Sequence, residues 1–563
     1  MINMSRIRFF FPILVAFGIA ACAIPRQPAD VTTVTIVGTN DVHGELLPTG
    51  EKGGLVTISA YLSALRLARE EDGGAVLYID AGDMWQGTLE SNLTEGAFVV
   101  DAYNAMGVTA AAIGNHEFDF GPVGVRAIPV DAGDDPRGAL KLRATEAHFP
   151  LLAANLVDLG TGEPVQWENV QPSVMVDAAG VQVGIIGVVT SGALQTTISA
   201  NTPGLAIAPL ARTITAEAQE LRQSGADIVV VAAHAGGRCT EFDDPGDTSS
   251  CDPDAEIMQV ARDIPAGLVD HIIAGHHHNG MAHIVNDISI TSGYSNTIAF
   301  SRVDFKVEPA RNRVIERHVF PPQLAAEGMR EEYEGRALVP MPEVEAIAKL
   351  AATEAEAIKL EGLGVTLTGA FELERSVESP LSNLMTEALL DSFEADIAIH
   401  NVFGGIRNAL PAGELTYGKV YEMFPFDNVV TILHISGHDL RRIIAKQAHR
   451  KPRLSGFSGM RVTVSCSGNK MDVVMRLEDG REITDTDRIG VVANDFLAFG
   501  GDDILTPAIP DGGFELNFDM PRTRDTLIQW FKARPGTLNP ADFRSLDTPK
   551  WNLPDEIPAT CQL

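Results

Sequence analysis

The feature that most constrains this chain is a recurrent ending. Five short apolar runs, at residues 34–37, 76–79, 110–113, 228–233 and 272–274, are each followed at once by Gly, Asp, Asn or His. Short continuous runs of this kind read as strands buried on both faces. Segments 56–69 and 96–106 carry apolar residues at helical spacing. Strands alternating with helices predict a largely buried sheet in a layered α/β domain. Ligands of such sheets bind beyond the carboxyl ends of the strands. Here those ends read Asp41-Val42-His43, Gly82-Asp83, Gly114-Asn115-His116-Glu117, His234 and Gly275-His276-His277-His278. Each is unremarkable alone, because a lone His or Asp after a strand is commonly a satisfied loop residue. Their conjunction predicts one rim lined with Asp, His and Asn.

That donor set has a chemical meaning. Two divalent ions about 3.5–4 Å apart can clamp the attacking and leaving oxygens of an in-line displacement. Two cations that close need a bridging anion, and Asp83 is the central carboxylate. Nitrogen and oxygen donors without thiolate suit Zn, Mn, Fe or Co. The formal net charge of −32 speaks against DNA or RNA as a partner. It also repels a small phosphorylated substrate, so bound cations would have to draw one in.

The motifs, in this order, resemble the calcineurin-like metallophosphoesterase superfamily. Thr39-Asn40-Asp41-Val42-His43-Gly44 and Gly114-Asn115-His116-Glu117-Phe118-Asp119-Phe120-Gly121 are similar to the 5′-nucleotidase family within it. The resemblance implies an N-terminal layered α/β/β/α sandwich and a C-terminal α+β substrate-binding domain joined by a helical linker. It implies one metal on Asp41, His43 and His278, and another on Asn115, His234 and His276, with Asp83 bridging. Part of the family has Gln at the position of His278, while His is the commoner residue across the superfamily. His116 and Asp119 match the catalytic dyad, in which a protonated imidazole stabilises charge developing on the phosphoryl group.

The C-terminal half carries the family's substrate strings. These are Gly404-Gly405-Ile406-Arg407, Phe424-Pro425-Phe426-Asp427-Asn428 and Asn494-Asp495-Phe496-Leu497-Ala498-Phe499-Gly500-Gly501-Asp502. By resemblance Phe426 and Phe496 sandwich a base, Asp502 binds ribose hydroxyls, and Arg407 and Arg375 reach phosphate. The chain departs from the family in having one residue more between Asn401 and Arg407, and Asp503 where Gly is usual. A carboxylate at 503 is expected near the ribose. The expected reaction is hydrolysis of nucleoside 5′-monophosphates. Cyclic-nucleotide or UDP-sugar hydrolysis, a thiosulfohydrolase, and a receptor without catalysis are the alternatives.

The N-terminus reads as an export signal, with Arg6 and Arg8 before an apolar run at 9–21 too short to span a bilayer. Ile19-Ala20-Ala21-Cys22 resembles a bacterial lipobox, which predicts a lipid on Cys22 and a membrane anchor outside the cytoplasm. The alternative is a plain cleaved signal. Cys239 and Cys251 are close enough in sequence to pair in an oxidising compartment, and Cys466 and Cys561 are a second candidate pair. The expected division is signal 1–22, catalytic domain 33–325, helical linker 326–362 with a hinge, and nucleoside-binding domain 363–563. No pattern in the sequence sets an oligomeric state.

Overall fold

The computed structural model describes residues 31–563 apart from 125, 309, 310, 312, 375–377, 403, 451–454, 518, 519, 545 and 546. The expectations for Cys22 and Arg375 therefore fall outside the described residues.

The apolar runs form strands, but they do not share one sheet. Thr32–Thr39, Ala75–Asp80 and Ala110–Ala112 lie side by side and parallel in one sheet, continued on one side by Leu151–Leu152 and on the other by antiparallel Ala299–Glu308 and then Arg313–Val319. Ile228–His234 and His271–Ala274 are parallel neighbours in a second sheet, flanked by Val181–Val189 and Ile288–Gly293. The two sheets stack on an inner layer that includes Val34, Ile36 and Ile79 from one and Ile185, Val230 and Ile273 from the other. Successive strand residues point to opposite faces. Val37 and Tyr78 accordingly meet Leu55, Leu62 and Val99 of the helices Gly54–Asp72 and Ala97–Met106. Val229 and Val231 meet Ile214 and Ile257 of Leu210–Gln223 and Glu256–Asp263. The result is a helix/sheet/sheet/helix sandwich whose two rows of strand ends converge on one rim.

The C-terminal half builds its own cores. One sheet runs in the order Val430–Ser436, Arg488–Asn494, Ile397–His400 and Gly456–Ser458, packed by Pro380–Ser392 and Gly437–His449. Between the halves runs the helix Pro342–Lys359. Pro in its first turn and the acidic Glu343 and Glu345 suit a helix start. Its buried stripe Val344, Ala348 and Ala351 packs on the N-terminal core. Ala355, one turn further on, meets Leu89 of the N-terminal half and Tyr421 of the C-terminal half. Disulfides join Cys239 to Cys251 and Cys466 to Cys561. No helix among the described residues is long and apolar enough to cross a membrane.

Candidate active site

The strand-end residues gather into two groups. Ligand-type atoms of Asp41, His43 and His278 lie within 4.8 Å of one another, and so do those of Asp83, His234 and His276. Asn115 joins the second group, its Oδ1 3.0 Å from His234 Nε2. His234 Nε2 is also 3.1 Å from Asp83 Oδ2. The backbone is under unusual constraint here. Asp41, His43, Asp83, His276 and His278 all have positive φ, between 49° and 71°. Such conformations cost roughly 1–3 kcal/mol each outside Gly and collect at functional sites. Packing the side chains into a single cluster outweighs the local preference.

The imidazoles are pre-oriented. His43 Nδ1 lies 2.8 Å from the Gln86 carbonyl and His234 Nδ1 2.9 Å from that of Ala81. A carbonyl can only accept, so each Nδ1 carries a proton and each Nε2 faces the cluster, the orientation seen in histidines that bind metals. His43 Nε2 and His278 Nε2 face each other at 3.1 Å. Burial pushes the pKa of His276 down to about 3, with the neighbouring His234 adding to it, so His276 stays neutral. Burial works against a charged His234, yet Asp83 and then Asp41 outweigh it and hold its pKa up to about 10. The same carboxylates would attract a cation. The residues present therefore fit a pair of divalent ions.

A supporting layer escapes the sequence reading. The Glu117 carboxylate accepts backbone N–H groups from Asp83, Met84 and Gly114 at 2.9, 2.7 and 2.6 Å, tying two strand ends together. Burial, then Asp83, raises its pKa to about 8. Asn40 donates to Asp41 Oδ2 at 2.7 Å and accepts the Gly293 N–H at 2.8 Å. Both had a signal, Glu117 in the Gly-Asn-His-Glu string and Asn40 in the Thr-Asn-Asp-Val-His-Gly string, but neither string shows what the side chain bonds to.

The dyad pair meets. His116 Nδ1 is 2.6 Å from Asp119 Oδ2, the spacing that a short 3₁₀ turn, His116–Phe118, provides. Asp119 Oδ1 accepts the Thr197 hydroxyl at 2.7 Å, a contact no spacing rule anticipates. Burial opposes a charge on His116, and Asp119 followed by Asp83 overcomes it, so its pKa is raised. Replacing Thr197 by Val keeps the shape and deletes the donor. We expect kcat to fall about tenfold with metal content intact, since an unsatisfied bond to a charged group costs ~1.5–3 kcal/mol; steady-state kinetics beside elemental analysis checks this.

The C-terminal residues reach the same place. Arg407 Nη2 is 3.2 Å from His116 Nε2. The Phe426 ring stacks on His116, centroids 5.9 Å apart and planes at 30°, with the Arg407 guanidinium 5.1 Å from its centroid. Phe496 is also half-buried but belongs to a different wall, against the core around Leu497 and Ile504. Gly501 lies against the Phe496 ring, where any Cβ would overlap it. Asp502 adopts φ 51° and accepts the Asn401 amide at 2.6 Å. Asp503 departs from expectation. Its carboxylate pairs with Lys446 at 2.6 Å and Arg450 at 2.9 Å, because the helix Gly437–His449 brings those cations beside it. It is not a free negative charge facing a ribose.

Comparison with known proteins agrees with this geometry. Residues 360–508 match the model of the 5′-nucleotidase C-terminal domain. Over 478 residues the chain is 24% identical to protein UshA of Escherichia coli (strain K12), covering 78% of this chain and 81% of that one. The C-terminal half thus carries a 5′-nucleotidase C-terminal domain, and most of the chain is similar to 5′-nucleotidases. A solved relative in fold, the 5′-nucleotidase precursor from Thermus thermophilus, superposes with a TM-score of 0.69 over 93% of this chain and all of that one, at 21% identity. The family likeness extends to an endonuclease, YhcR of Bacillus subtilis (strain 168), 28% identical over 490 residues. That match covers 84% of this chain but only 37% of YhcR, so the chain spans little more than a third of that relative.

Proposed function

We propose that this chain is a phosphoric ester hydrolase that uses two divalent ions to release phosphate from nucleoside 5′-monophosphates outside the cytoplasm. The observation that carries this reading is the pair of donor groups around Asp83 with His116 and Phe426 alongside. Asp41, His43 and His278 would hold one ion; Asn115, His234 and His276 would hold the other; Asp83 would bridge them. When bound, such ions supply Lewis acidity and make water easier to deprotonate.

The chain's own residues supply the rest. His116, kept in orientation by Asp119, offers a positive N–H to charge that develops on the phosphoryl oxygens. Arg407 presents a fork of donors suited to a phosphate. Together with the ions these offset, locally, the repulsion expected from a net charge of −32. Phe426 and Phe496 would stack a base, and Asp502 would take ribose hydroxyls. Export is supported by the two disulfides, which persist in oxidising compartments. A lipid on Cys22 would supply the anchor.

The test is phosphate release from a panel of 5′-, 3′- and 2′,3′-cyclic nucleotides and UDP-glucose, with several divalent metals and with a chelator. We expect 5′-monophosphates to lead and the chelator to stop the reaction. Nucleotide binding without phosphate release would point instead to a receptor. Stacking has its own check. Base–aromatic stacking is worth ~1–3 kcal/mol, so Phe426→Ala should raise KM for AMP about tenfold and hardly move KM for an aryl phosphate. Equal losses on both substrates would remove the stacking role.

A further inference from the structure

The segment that follows the bridging carboxylate leaves the metal rim and runs to the C-terminal half. Thr88 donates its N–H to the His43 carbonyl at 3.1 Å. Gly87 passes so close to His43 that a Cβ would overlap that carbonyl. Gln86 uses its own carbonyl to fix the His43 tautomer. The segment is thus pinned along one metal-side residue.

Its side chains face the other way. Gln86 is 2% exposed and points its Nε2 at the Pro425 carbonyl, 3.3 Å away. Asn92 donates to the Tyr421 hydroxyl at 2.6 Å while its Oδ1 accepts the Gly87 N–H at 3.0 Å. The Arg524 guanidinium lies 4.3 Å from the Tyr421 ring centroid and donates to the Phe426 carbonyl at 3.1 Å. The Pro425–Phe426 peptides are therefore held from two sides, by Gln86 of the N-terminal half and by Arg524 of the C-terminal half. Phe426 in turn stacks on His116. The amide of Gln86 is oriented toward this contact at a cost, since its Oε1 is buried with no hydrogen-bond partner among the described residues.

We infer that Gln86 is a positioning residue, which sets the place of the Phe426 ring relative to the metal-side cluster and so makes turnover depend on the nucleoside as well as the phosphate. This rests on the nucleotide-hydrolase reading above. Gln86→Met keeps the volume, loses the donor and removes the unpaired oxygen. Gln86→Glu sets a carboxylate against the Pro425 carbonyl. Tyr421→Phe deletes only the hydroxyl that Asn92 meets, on the other half.

The measurement is the ratio of kcat/KM for AMP to kcat/KM for 4-nitrophenyl phosphate, with melting temperature and metal content recorded for each variant. One lost hydrogen bond predicts a ratio about fivefold lower in Gln86→Met, carried by KM for AMP, with a melting temperature no lower than that of the parent chain. Gln86→Glu should lower the ratio further, and Tyr421→Phe should move it in the same direction by less. An unchanged ratio in Gln86→Met and Tyr421→Phe would overturn the inference. So would a fall shared equally by both substrates with loss of metal or of melting temperature, because that is a structural defect. A parent chain that hydrolyses neither substrate would sink the functional reading instead, a result separate from either of these.

Discussion

Asp83→Ala is expected to lose both metal and activity, by at least about a thousandfold in kcat, because the removed group serves three partners at once. Its Oδ2 faces His234 at 3.1 Å, its Oδ1 accepts the His116 N–H at 2.9 Å, and it supplies the carboxylate of the second donor group. Without it, that group keeps imidazoles and an amide but no anion to hold two cations together. Ligand binding to the native state raises stability by mass action. Added divalent metal should therefore raise the melting temperature of the parent chain by more than that of Asp83→Ala. Parallel thermal melts with and without metal, beside phosphate-release kinetics, read both effects. Removing Asp83 also deprives buried His234 of the partner that holds its pKa up, so a modest loss of stability in metal-free buffer should accompany the loss of function.

His116→Ala separates chemistry from metal binding. The hydrogen bond between residue 116 and Asp83 is through the backbone N–H, which Ala retains, and the imidazole itself bonds to Asp119 and lies beside Arg407. Metal content should be unchanged. Loss of one electrostatic stabiliser aimed at the transition state costs ~10²–10³ in kcat, and the loss should fall equally on AMP and an aryl phosphate, because both pass through the same phosphoryl charge. KM should change little. Turnover equal to that of the parent chain would remove the dyad from the account.

Much of the site was legible in the residues because strand ends are local features. Apolar runs stop where they stop, and Asp41, Asp83, Asn115, His234 and His276 follow at once. The division of the five strands between two sheets was not legible from the runs, and came only through the family resemblance. Strands buried on both faces have the same appearance in either sheet, and pairing such as Ile228–His234 beside Val181–Val189 is settled by tertiary packing. The supporting layer was hidden for a related reason. Gln86 meets Pro425 across 339 residues, and Thr197 meets Asp119 across 78. Neither is an unusual residue where it stands. Asp503 shows the opposite error: a charge read in isolation was expected to act on a ligand, whereas Lys446 and Arg450 already face it. The positive φ values at five ligand-type residues were equally invisible, since none is Gly and nothing in a side chain announces a backbone held off its preference.

The most direct measurement is the metal content of active, purified protein by elemental analysis, followed through chelation and reconstitution. The account predicts two divalent transition-metal ions per chain, loss of hydrolysis as they are stripped, and its return with their replacement. Protein that still releases phosphate from AMP after every such ion is gone would contradict it.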